Sequence, residues 1–140
     1  MKTLAALAIV LAFSGSASAD DEPAIDCDNA MAQQDMNICA GRDFEAADAE
    51  LNAVWKDAVA AARDADKELQ DMGDDGRPGH EETLKAAQRA WIGYRDEWCA
   101  YYGFEARGGS MEPMLVSGCM AQLTRARTVE LKESLEGMGN

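Results

Sequence analysis

Cys27, Cys39, Cys99 and Cys119 constrain this chain more than any other feature, because their spacing decides where helices can run. An even set of cysteines in a small chain with an export leader predicts two disulfides. Unbroken helix between Cys27 and Cys39 would hold the two residues about 18 Å apart. A disulfide requires Cα atoms within about 7 Å. A Cys27–Cys39 link therefore demands that the chain fold back between them. Cys99 and Cys119 bracket a glycine-rich stretch, Gly103 to Pro113, so a link there would pin the end of one helix to the start of the next. Four cysteines allow three pairings, of which these two local ones are favoured.

The leader is read from residues 1–19. Lys2 supplies a positive start, Leu4 to Phe13 is apolar, and Ala17-Ser18-Ala19 has the small-x-small pattern of a cleavage site. The apolar run is too short to span a bilayer comfortably, and no other run approaches that length. Cys27 follows Asp26 rather than a small residue, so a lipid-modified cysteine is not expected. The expected location is periplasmic or secreted, without a membrane anchor. Residues 20–26 read as an acidic leader, 27–136 as a single domain and 137–140 as a tail.

The chain carries 26 acidic and 13 basic residues, a formal charge of −13 that becomes −14 once Lys2 leaves with the leader. Nucleic acid and anionic lipid are poor partners for such a surface, whereas a cationic partner is attracted from a distance. Acidity also serves solubility alone.

Helical periodicity dominates the rest. Residues 28–38 suit a short helix, with Gly41 as a break and Asp43 as a cap for the next. Phe44, Ala47, Leu51, Val54, Ala58, Ala61 and Ala65 then recur at steps of three and four, widened by Trp55 and Leu69, which predicts a helix to about Met72. Gly73 to Gly79 reads as a turn. A second long helix begins near Glu81, with Leu84, Ala87, Gln88, Trp91, Tyr94, Arg95, Trp98 and Tyr102 on one broad face. Val116, Met120, Leu123, Arg127, Leu131 and Leu135 mark a third. No strand alternation occurs. The expected fold is all-α: a small disulfide-stapled bundle of about three long helices plus a short N-terminal one.

Cys39, the runs Ala47-Asp48-Ala49-Glu50-Leu51-Asn52 with Trp55, and Ala87-Gln88-Arg89-Ala90-Trp91-Ile92 with Tyr94-Arg95-Asp96 and Cys99, form a distinctive combination. Gly108-Gly109-Ser110, Cys119, Thr124, Arg127 and Leu131 extend it. Together they resemble the LprI-like lysozyme-inhibitor family, from about Asp26 to Leu135. The resemblance implies a small exported helical protein, and its named activity is inhibition of c-type lysozyme. It therefore implies a cationic, lysozyme-like partner and a steric and electrostatic blockade. The alternative is a periplasmic structural or stress-related interaction domain with a different partner.

Asp48, Asn52, Gln88, Arg95 and Arg127 lie on or beside apolar stripes, which predicts a buried polar network joining helices rather than a reactive cluster. Trp91 and Trp98, seven apart, read as packing, whereas Tyr101 and Tyr102 border the glycine-rich segment and are expected to be more exposed. Arg107, Gly108, Gly109 and Ser110 are the candidate partner-binding residues, since glycines let backbone approach a partner closely. Asp71 to Glu82 matches a calcium-loop template at Asp71, Asp75, Gly76 and Glu82 but fails it at Gly73 and Pro78, and reads as an acidic interhelical turn. His80 is the one histidine. The cysteines lack C-x-x-C spacing, and no nucleophile-elbow, zinc-protease or phosphate-loop motif occurs. No catalytic residue, cofactor or metal is expected, and no enzymatic activity.

Overall fold

The computed structural model describes residues 25–73 and 76–138. The leader and the tail beyond residue 138 lie outside these residues. So does much of the calcium template, namely Asp74, Asp75 and the side chain of Asp71. Three helices form the structure: α1 (Gln33–Met72), α2 (His80–Gly103) and α3 (Glu112–Met138), with a 3-10 turn at Phe104–Ala106 between the last two. Among the described residues there is no strand, and the all-α class is as expected.

The helix boundaries differ at one place. There is no separate N-terminal helix, no break at Gly41 and no cap at Asp43, because α1 runs unbroken from Gln33. A helix-interior glycine costs only about 1 kcal/mol. Tertiary contacts flank Gly41 and offset that cost. Asn37 Nδ2 donates to the Ser110 carbonyl at 2.8 Å, and Asp43 takes a two-pronged ion pair from Arg125 on α3, one prong at 3.0 Å. The fold-back required by the cysteines is instead made before the helix. Asp26 accepts from the Asp28 amide at 3.1 Å and from Asn29 Nδ2 at 2.8 Å, forming a side-chain-closed turn. These bonds, Asn29 first, lower the pKa of the Asp26 carboxyl. The turn returns Cys27 to Cys39, with Cα atoms 5.5 Å apart.

Ion pairs fix the helix directions. Asp43–Arg125 and Glu50–Lys132 advance together along α1 and α3, so these two run parallel. Arg63–Glu81 and Asp48–Arg95 run oppositely, so α2 is antiparallel to α1. The core is small. Leu51, Ala58 and Leu131 form its centre, packed by Val54, Trp55, Leu84, Trp91 and Leu135. Buried Ala47, Ala62 and Ala121 leave room for close helix approach. Among the described residues no helix is long and apolar enough to cross a membrane.

The start of α2 is capped by another helix. Its own N-cap, Gly79, has no side chain, and the Asp66 carboxylate of α1 accepts the His80 amide at 2.5 Å and the Glu81 amide at 3.1 Å. These two amides, that of Glu81 foremost, hold the Asp66 carboxyl below its ordinary pKa.

Candidate functional site

Both disulfides lie at one end of the bundle, where α1 starts, α2 ends and α3 starts. Cys99 and Cys119 are joined with Cα atoms 5.5 Å apart, so both favoured pairings are formed and no cysteine is free. This link closes the segment that contains Gly103 to Pro113. Gly103 makes the closure tight, since a Cβ there would meet Val116 Cγ2 at 2.5 Å.

The crest of the segment is Arg107, Gly108, Gly109 and Ser110, all exposed. Its backbone is held from within. Gly108, at φ +75°, donates its amide to the Glu112 carboxylate at 2.7 Å, and the Gly109 amide reaches the Ala106 carbonyl at 2.8 Å. The Ser110 carbonyl is tied to Asn37 of α1. The Arg107 guanidinium lies 4.4 Å from the centre of the Phe104 ring. The crest is thus a braced, solvent-facing turn with its amides largely committed.

An aromatic row continues from the crest along α2. Tyr94, Trp98, Tyr101 and Phe104 are 55, 45, 64 and 47% exposed. Their ring centres follow one another at 6.2, 5.7 and 6.2 Å. The exposure of Trp98 corrects the expectation that it packs with Trp91. The buried stripe of α2 passes through Gln88, Arg95, Cys99 and Gly103. The disulfide and the close glycine contact fix that stripe toward α3, which turns Trp98 outward, beside Cys99 rather than beneath it. Trp98 and Tyr102 also border a cleft of about 440 Å³ with Met114, Leu115, Gly118 and Gln122 of α3.

The predicted polar residues gather at mid-bundle instead. Arg95, 7% exposed, donates to Asp96 at 2.9 Å, to Thr124 at 3.3 Å and to Asp48 at 3.5 Å. Asn52 donates to Asp48 at 2.8 Å, one turn along α1. Arg127 donates to Gln88 at 3.0 Å and to Glu130 at 2.8 Å. The Arg95 and Arg127 guanidiniums both lie against the Trp91 ring, at 5.1 and 6.0 Å, and Arg95 also lies 5.1 Å from the Phe44 ring. These contacts form two adjoining groups around Trp91. Among the described residues no buried side-chain nitrogen or oxygen lacks a partner. None of the five predicted residues lines the α2–α3 cleft. Thr124 and Thr128 belong to the same region and were not anticipated as core. Their register on α3 was the available signal; their polarity hid it.

Among the described residues no group of three or more His, Cys, Asp or Glu side chains is placed to hold a metal ion. His80 faces Asp66 at 3.1 Å, and Glu82 already lies in the first turn of α2.

Fold and site together define a small, disulfide-braced three-helix protein whose distinctive surface is one loop-bearing end. The chain matches the family model described as "Lysozyme inhibitor LprI" over residues 27–131, and it belongs to that family. It is similar to a protein of Rhizobium meliloti (strain 1021) named "Uncharacterized protein R02472", at 56% identity over 135 residues and 96% of each chain. No solved structure matches it.

Proposed function

We propose that this chain is an exported inhibitory binding protein whose partner is a cationic, c-type-lysozyme-like muramidase. The observation that carries this reading is its membership of the lysozyme-inhibitor family. The acidic surface, at −13 for the full chain, is complementary to such a partner and speeds encounter. Blockade is steric: the crest enters the partner's cleft, which carries two catalytic carboxyl groups. Arg107 swings from the Phe104 ring to pair with one carboxylate, and the Ser110 hydroxyl hydrogen-bonds the other, while Gly108 and Gly109 permit close approach. The disulfide and the Asn37 tether keep the crest in shape before binding, which lowers the entropic cost of association. Asp48, Asn52, Gln88, Arg95 and Arg127 have a structural role in this reading, and the chain is not an enzyme.

The test is a lysozyme-inhibition assay over a salt series. Inhibition should be strongest at low salt and weaken as salt screens the attraction. Absence of binding at low salt would remove lysozyme as the partner. Undiminished inhibition by the Arg107→Ala, Ser110→Ala double variant would remove the crest from the mechanism.

A further inference from the structure

We infer that the Tyr94–Trp98–Tyr101–Phe104 row is the docking face of this protein, and that its occupant is the basic surface of a partner protein, with arginine or lysine side chains laid against the rings. This assignment rests on the proposed cationic partner and adds a surface that the crest model does not require.

Four half-open rings follow one another, three on α2 and Phe104 in the 3-10 turn after it, while the buried stripe of α2 runs through Gln88, Arg95, Cys99 and Gly103. Exposed aromatic patches of this kind mark interaction surfaces. The occupant follows from charge. Glu97 stands one helical turn before Tyr101, and Glu105 one turn after it. Both are exposed, and neither has an ion-pair or hydrogen-bond partner among the described residues. Exposed carboxylates without a partner among the described residues occur elsewhere too, as at Glu68 and Glu133, so what marks Glu97 and Glu105 is their place beside the exposed rings. Rings flanked by unpaired carboxylates favour a cation, which gains from the ring faces and from the charge together. The end of the row already shows the contact, since Arg107 lies against Phe104.

Two other occupants fit less well. A glycan strand stacks on coplanar platforms, but successive rings here are rotated by 15, 45 and 63°. A second copy would bring two chains of charge −13 together.

The experiment titrates the exported form of the chain with a c-type lysozyme and, separately, with an arginine nonamer, by calorimetry. Tyr101→Ala combined with Glu97→Gln should weaken binding to these probes at least about tenfold. Tyr101 is 64% exposed, so the variant should melt as the wild type does. A charge-matched control, Glu133→Gln at the far end of the bundle, should change affinity less than about twofold at physiological salt. Binding to either probe that depends on Tyr101 and Glu97 supports the face. If lysozyme is not bound but the nonamer is, in that dependent way, the lysozyme reading fails and the face stands. If the variant binds lysozyme like wild type and the nonamer is not bound through these residues, the face is overturned and the lysozyme reading stands. If neither probe binds, both fail. Tyr101-dependent binding of chitotetraose alone, or a Tyr101-dependent dimer in light scattering without binding of either probe, also overturns it.

Discussion

Arg95 of α2 donates to the Thr124 hydroxyl of α3 at 3.3 Å, and Thr124 has no exposed surface at all. A guanidinium this deep is tolerated because its donors are used and its flat faces meet Phe44 and Trp91. Arg95→Ala should therefore cost about 2–4 kcal/mol, from lost charged hydrogen bonds and lost packing. Arg95→Lys should recover only part of this, since an ammonium cannot reproduce the fork. Asp48→Asn should cost less than about 1 kcal/mol, because that carboxylate is 40% exposed. Urea unfolding of the three variants gives the ranking. Equal losses for Asp48→Asn and Arg95→Ala would show that the ion pair, not the packed guanidinium, dominates.

Two glycines of α2 should respond oppositely to alanine. A Cβ at Gly103 would collide with Val116, whereas one at Gly93 meets nothing within 4 Å. Gly103→Ala should destabilise by about 1–3 kcal/mol through overpacking at the loop end. Gly93→Ala should stabilise by up to about 1 kcal/mol through helix propensity. Thermal melts decide the signs, and a neutral Gly103→Ala would mean that α3 can retreat without loss.

Helix content and the need for a fold-back at Cys27 were legible because periodicity and cysteine spacing are local properties. Gly41 misled because its cost is small beside the contacts made by Asn37 and Asp43, whose partners lie far along the chain. The Asp66 cap on α2 was invisible for the same reason: the sequence near Gly79 holds no capping side chain. Arg95 and Asp48 were readable as partners, since polar residues on apolar stripes need satisfaction. Trp98 was not readable as exposed, because a seven-residue spacing from Trp91 fixes the helix face but not how far a neighbouring helix covers it. Only the Cys99 and Gly103 contacts with α3 determine that.

Acid should loosen the contact between α1 and α2 in a defined window. Arg63, with Lys85 second, holds the Glu81 carboxyl down to about 2 from an ordinary 4.5. A folded-state pKa below the unfolded value means that the unfolded chain takes up the proton first. The stabilisation is therefore complete above about 4.5 and is lost as pH falls toward about 2. Asp66 and Asp43 are lowered by their own partners and act in the same direction. Melting temperature should fall with acidification through this range, and Glu81→Gln should flatten part of the slope. An unchanged slope in Glu81→Gln would show that Glu81 stays solvated and contributes nothing.

The two disulfides should separate under mild reduction. Cys27 is exposed at the chain's turn, whereas Cys99 is fully buried against α3. A thiolate reductant reaches the first link more readily, since exchange requires access to sulfur. Alkylation followed by peptide mass spectrometry should thus label Cys27 and Cys39 before Cys99 and Cys119. The later step should matter more. The Cys99–Cys119 link spans a sequence separation of 20, against 12 for the other. Chain entropy assigns such a closure about 3 kcal/mol, or roughly 10–15 °C in melting temperature for a domain of this size. The Cys99→Ser, Cys119→Ser variant should also lose affinity for a cationic partner, because the crest and the end of the aromatic row both depend on that closure. Retained affinity in a variant that melts early would separate stability from recognition and place the binding energy on the α2 surface alone.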